Sequence, residues 1–124
     1  MARTLTFPRV LSASTLKDEK VVNAKGEDLG KIEDYMIDLD NGRIAYSVLS
    51  FGGFLGMGNK LFMVPFKALT LDLARKRYVL NVDKERLKQA PGFDKDNWPD
   101  TTAPEFATGI YSFYRVTPYW EEEV

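Results

Sequence analysis

The segment Gly52-Gly53-Phe54-Leu55-Gly56-Met57-Gly58-Asn59-Lys60 gathers the residue types most suggestive of chemistry. Glycines clustered before a lysine can turn backbone N–H groups toward a phosphate. The spacing misses the phosphate loop, however. Gly53 and Gly58 stand at the right separation, but Asn59 intervenes before Lys60, no Ser or Thr follows, and the flanks read as strands. A glycine-rich connection between two strands accounts for the segment better. Three large apolar side chains, Phe54, Leu55 and Met57, are then left at its tip. They either fold back onto the body of the protein or meet a partner.

Other candidate chemistry fails on spacing. Asp38-Leu39-Asp40-Asn41-Gly42 opens like a calcium loop, yet its glycine is one position early and Leu49 stands where the bidentate glutamate belongs. In Asp94-Lys95-Asp96-Asn97-Trp98-Pro99 the fifth ligand and the turn glycine are replaced by Trp98 and Pro99. The carboxylate pairs Glu27-Asp28 and Glu33-Asp34 are adjacent, so on a strand their members point to opposite faces and cannot share a cleft. The chain has no histidine and no cysteine. Ser-His-Asp hydrolysis, thiol chemistry, disulfide scaffolds and the usual zinc sites are excluded together. A non-enzymatic protein without a cofactor or metal is expected.

With 124 residues, 44% of them hydrophobic, the chain suffices for one core. Its net charge of −1 gives no surplus of cations for a phosphate backbone, so nucleic acid is not expected as a direct partner. The charge is uneven, with −4 on residues 99–124 and +3 on residues 1–98. No apolar run approaches the ~20 residues of a membrane span, and the start lacks a signal-peptide hydrophobic region, so a cytoplasmic location is expected.

The elements that position these residues are read from turns and periodicity. Up to Val82, turn residues at short intervals separate β-branched and aromatic runs, which predicts a small antiparallel sandwich or barrel. Six strands are predicted, at 8–12, 20–24, 29–39, 43–51, 60–66 and 77–82. One serine-capped helical turn is expected at Ser14–Lys17. Asn41-Gly42 supplies the positive φ angles of a tight hairpin between the third and fourth strands. In the 29–39 strand, Ile32 and Met36 share one parity while Tyr35, Ile37 and Leu39 share the other, implying a bulge or cover on both sides. Lys60–Phe66 is apolar on both parities, so something must cover its outer face. Tyr78, Leu80 and Val82 alternate onto one core-facing side.

Beyond Val82 the period becomes helical. Asp83 can cap a helix over 84–90 ended by Pro91-Gly92, and a linker follows at 93–99. Thr102-Ala103-Pro104-Glu105 matches a capping box, and Phe106, Ile110, Phe113 and Tyr114 recur at helical spacing. Gly109 weakens this helix by roughly 1 kcal/mol relative to alanine, so it depends on docking its aromatic stripe. The density of Trp98, Tyr111, Phe113, Tyr114, Tyr119 and Trp120 is that of a docked segment, as intramolecular cover or as an interface.

Four pieces in this order carry a resemblance: Gly30-Lys31-Ile32 with Ile37-Asp38; Asn41-Gly42-Arg43-Ile44-Ala45-Tyr46; Phe54-Leu55-Gly56; and Leu61 through Leu69. Together they resemble the PRC-barrel family over about residues 8–90, in the manner of a stand-alone bacterial member. That resemblance implies a small, mainly β barrel of about six strands with a short helix at its end. The chain then divides into a barrel at 1–98 and an acidic, aromatic, helical C-terminal extension at 99–124 that docks on the barrel or on a dimer partner. The family implies adaptor roles without a shared catalytic residue. The leading expectation is a protein-interaction module, self-associating as a homodimer, with Phe54, Leu55, Met57, Phe62, Trp98, Tyr119 and Trp120 as candidate contact residues. The alternative is a small-ligand or cofactor-binding barrel with Tyr35, Tyr46 and Lys60 placing polar tips around an apolar cavity.

Overall fold

The computed structural model describes residues 9–52 and 60–121. One helical turn, α1 (Ala13–Leu16), precedes strands β1 (Lys20–Val22), β2 (Asp28–Asp38), β3 (Arg43–Phe51) and β4 (Lys60–Pro65). A 3-10 turn at Phe66–Ala68 leads into β5 (Leu69–Asp72) and β6 (Arg77–Leu80). Helix α2 (Lys84–Lys88), a two-residue strand β7 (Gly92–Phe93), helix α3 (Pro104–Phe113) and a 3-10 turn at Tyr119–Glu121 complete the order.

The strands form one seven-stranded sheet, β5-β6-β1-β2-β3-β4-β7, antiparallel except for the β1–β6 pair. The strand count therefore differs from the six expected. Residues 9–12 form no strand, because Ser12 instead caps α1, its hydroxyl accepting from the Thr15 N–H at 3.1 Å. The two unforeseen strands are short: β5 has four residues, and β7 pairs only Phe93 with Leu61 and Gly92 with Phe62, in what reads as a linker.

The sheet curls without closing. Phe62 and Val64 of β4 share a buried cluster with Tyr78 and Leu80 of β6, although β1, β2 and β3 lie between those strands. Leu49, Ile32, Val21 and Leu87 fill the same interior. A second cluster lies on the outer face, where Tyr46, Val48, Leu61 and Met63 meet Ile110, Tyr111 and Tyr119. Both parities of β4 are thus buried, the odd one by α3 of the same chain. The mixed parity of β2 has two causes acting together. Register shifts at Ile32/Asp34 and Met36/Ile37 are β-bulges, so Ile32 and Tyr35 both face the interior while Met36 faces α3.

Three local expectations are corrected. At the β2–β3 turn Gly42 alone takes positive φ (65°), and Asn41 does not. The loop is instead gathered by the Asp38 carboxylate, which accepts from the N–H groups of Asp40 and Asn41 and from the Asn41 amide. Helix α3 begins after Ala103, with Pro104 in its first turn, because the Thr102 hydroxyl is engaged by Asp100 at 2.5 Å and caps nothing. Asp83 stands at the start of α2, but its carboxylate makes no capping bond and pairs with Lys25 at 3.5 Å. No helix among the described residues is long and apolar enough to cross a membrane.

Candidate functional site

Among the described residues, the nominated contact positions Phe62, Trp98, Tyr119 and Trp120 do not share one exposed surface. Phe54, Leu55 and Met57 lie outside the described residues. Phe62 points into the interior and is 1% exposed. Tyr119 is buried in the outer cluster, its hydroxyl donating to the Asp38 carboxylate and its ring carrying the Arg43 guanidinium 4.3 Å from its centre. That hydrogen bond and those from Asn41 hold the Asp38 carboxyl at about 2, below the usual carboxylate range. Trp98 and Trp120 keep substantial exposure. Trp98 tilts against Phe93 and donates its indole N–H to the Lys95 carbonyl, while Trp120 packs edge-on against Tyr111 and Tyr119.

Tyr35, Tyr46 and Lys60 are not brought together either. Tyr35 packs on the interior cluster, donates its hydroxyl to the Leu16 carbonyl and shares a hydrogen bond with the Tyr78 hydroxyl. Tyr46 faces outward against α3, and burial pushes its hydroxyl up to about 12. Lys60 is exposed at the start of β4.

The surface the structure does assemble is a groove between the N-terminal segment, the 3-10 turn after β4 and the edge strand β5. Val10, Leu16, Ile44, Phe66, Leu71 and Leu73 are among the residues lining a volume of about 620 Å³. A second volume of about 830 Å³ shares Arg9, Ile44, Phe66 and Leu69 with it and runs on to Arg43, Lys67 and Tyr119. The floor is aliphatic and aromatic. Every charged residue lining either volume, Arg9, Arg43 and Lys67, is a cation. Val10, Leu11 and Leu73 are 81%, 49% and 48% exposed there, so the groove presents apolar side chains to water at its mouth.

Sequence reading missed this groove because its walls come from four separate stretches. The available signal was the apolar pair Val10-Leu11 and the alternation Leu69, Leu71, Leu73. With no carboxylate lining it, the groove offers no acid–base pair. Among the described residues no group of three or more His, Cys, Asp or Glu could hold a metal ion. What the arrangement can do is desolvate an apolar segment between cationic walls.

Comparison with known proteins bears on the fold. The description of the PRC-barrel domain family matches residues 8–87. Among solved structures, the chain is similar to a candidate 16S ribosomal RNA processing protein, RimM, from Pseudomonas aeruginosa, with 18% identity and a TM-score of 0.41. The alignment covers 60% of this chain and 45% of that one, so the chain spans less than half the length of that protein. The sequence has no match among the curated proteins.

Proposed function

The chain belongs to the PRC-barrel domain family, and from that premise we propose that it is a non-catalytic adaptor that associates with a second copy of itself through the apolar groove. The observation that carries this reading is the exposure of Val10, Leu11 and Leu73 around a floor of Leu16, Ile44, Phe66 and Leu71. Covering apolar surface is favourable by roughly 25 cal/mol per Å², and a symmetric dimer does so with the same patch on both sides. Such an interface must be complementary to itself. The groove supplies Arg9, Arg43 and Lys67, and the acidic end of the chain, beginning at Glu121, follows Tyr119 of the same groove by two residues. An acidic stretch so close in sequence to a cationic groove gives two copies opposite charges with which to pair across a two-fold axis.

The test is light-scattering mass of the full chain over a range of concentrations, alongside Leu73→Asp. Leu73 follows β5 in an exposed turn, so the substitution spares both buried clusters. A mass near two chains that falls to one in the variant supports the reading. A single-chain mass at every concentration, or an unchanged dimer in the variant, refutes it.

A further inference from the structure

A second concavity lies where the segment joining β6 to α2 meets the end of α3. Its volume is about 460 Å³, within the usual range of small-molecule sites, and Asn81, Asp83, Arg86, Tyr114 and Arg115 supply its polar lining. Leu80, Val82, Phe113 and Val116 form apolar walls.

Three features there bear on what the cleft can hold. First, the Tyr114 hydroxyl is buried and has no hydrogen-bond partner among the described residues, which costs about 1–3 kcal/mol. Burial also pushes its pKa further above the ordinary tyrosine value, so it stays a neutral donor at physiological pH. Second, α3 ends in a Schellman turn, with the Val116 N–H donating to the Tyr111 carbonyl and the Arg115 N–H to the Ser112 carbonyl. The left-handed residue of that turn is normally glycine, yet here it is Arg115 at φ 59°. Third, Arg86 is fixed in orientation, its guanidinium 4.2 Å from the centre of the Phe113 ring and donating to the Phe113 carbonyl at 2.5 Å. That leaves the rest of its donor fork for another acceptor. Asp83 is the one acid lining the cleft, and Lys25 lies 3.5 Å from it, so the two arginines leave a net positive lining.

We infer that this cleft is a binding site for a small organic monocarboxylate with an apolar body, held by Arg86, Arg115 and the Tyr114 hydroxyl. The guanidinium fork of Arg86 matches a carboxylate, the tyrosine donates to the same oxygens, and Val82, Phe113 and Val116 enclose the apolar part. The site is separate from the groove and does not depend on self-association.

Benzoate is the probe, with benzamide as its neutral counterpart, in a 15N NMR titration of the full chain. Saturable shifts around residues 81–86 and 114–116 are expected with benzoate, and at least about tenfold weaker binding with benzamide, since the charge-assisted bonds are lost. Tyr114→Phe and Arg115→Gly should each weaken benzoate by at least about tenfold. Both should melt at or above the wild-type temperature, because one removes an unpaired hydroxyl and the other relieves a left-handed residue. Absence of saturable shifts, an equal response to benzamide, or benzoate affinity retained in either variant overturns the inference. So does a variant in which affinity and melting temperature fall together, which is the result of a purely structural role.

Discussion

Replacing Tyr111 tests whether α3 is the intramolecular cover of the sheet. Its side chain is 1% exposed, and its ring meets Tyr46 at 5.8 Å and Trp120 at 4.9 Å. Its hydroxyl donates at 2.8 Å to the carbonyl of Ala45, the β3 residue that the second register shift leaves out of the β2–β3 pairing. Tyr111→Phe removes that bond alone and is expected to cost about 1 kcal/mol. Tyr111→Ala also opens a cavity the size of an aromatic ring and is expected to cost about 4 kcal/mol. Against a total stability of about 5–15 kcal/mol, the alanine variant stays folded but marginal. Urea unfolding followed by far-UV circular dichroism reads the global loss, and Trp120 fluorescence, isolated in a Trp98→Phe background, reads the docking of the helix locally. A cost below about 1 kcal/mol for Tyr111→Ala would refute the docking of α3 on β3 and β4. In the Leu73→Asp background, where the groove contact is removed, a midpoint that still rises with protein concentration would refute its docking within one chain.

Gly109→Ala should raise stability by roughly 0.5–1 kcal/mol, because the position is an exposed helix interior with nothing within 4 Å of an added Cβ; calorimetry should show a melting temperature higher by about 2–4 °C. Gly30→Ala should do the reverse, on the order of 3 kcal/mol or more, since φ is +116° and the added carbon would lie 2.1 Å from the Ser50 backbone oxygen. Its urea midpoint gives the value. Asp38 titrates at about 2 in the folded chain against about 3.9 unfolded, so its contribution is present above pH ~4 and lost as pH falls toward 2. Acid titration of Asp38→Asn should lack that part of the decline; a profile identical to wild type would remove the Tyr119 and Asn41 bonds as its cause.

The β2–β3 hairpin was legible because Asn41-Gly42 marks a turn between two strand-like runs and Gly42 takes positive φ, and the double parity of Leu61–Val64 correctly required cover on both faces. The type of a residue does not say which cover it receives. Phe62 reads as a surface candidate and lies inside, while Tyr111, outside the stripe of Phe106, Ile110, Phe113 and Tyr114, is the most deeply buried aromatic of the helix. Bulges are equally silent in sequence: Glu33 is an ordinary strand residue, yet skipping it in the register places Ile32 and Tyr35 on one face. The groove escaped notice because Leu16, Ile44, Phe66 and Leu73 converge only through the curl of the sheet.

The order in which the outer cluster is completed has a consequence during synthesis. Met63 of β4 is made well before Ile110 of α3, a separation of 47 residues in the sequence. At roughly 5–20 residues per second, the growing polypeptide carries Tyr46, Val48, Leu61 and Met63 without their lid for about 2–9 s. Once Tyr78, Leu80 and Leu87 have been made, the sheet can be folded on its inner side while its outer side is still bare. A holdase that engages nascent chains would find its target there, and slowing translation across residues 66–104 would lengthen the exposure without altering one contact of the finished protein.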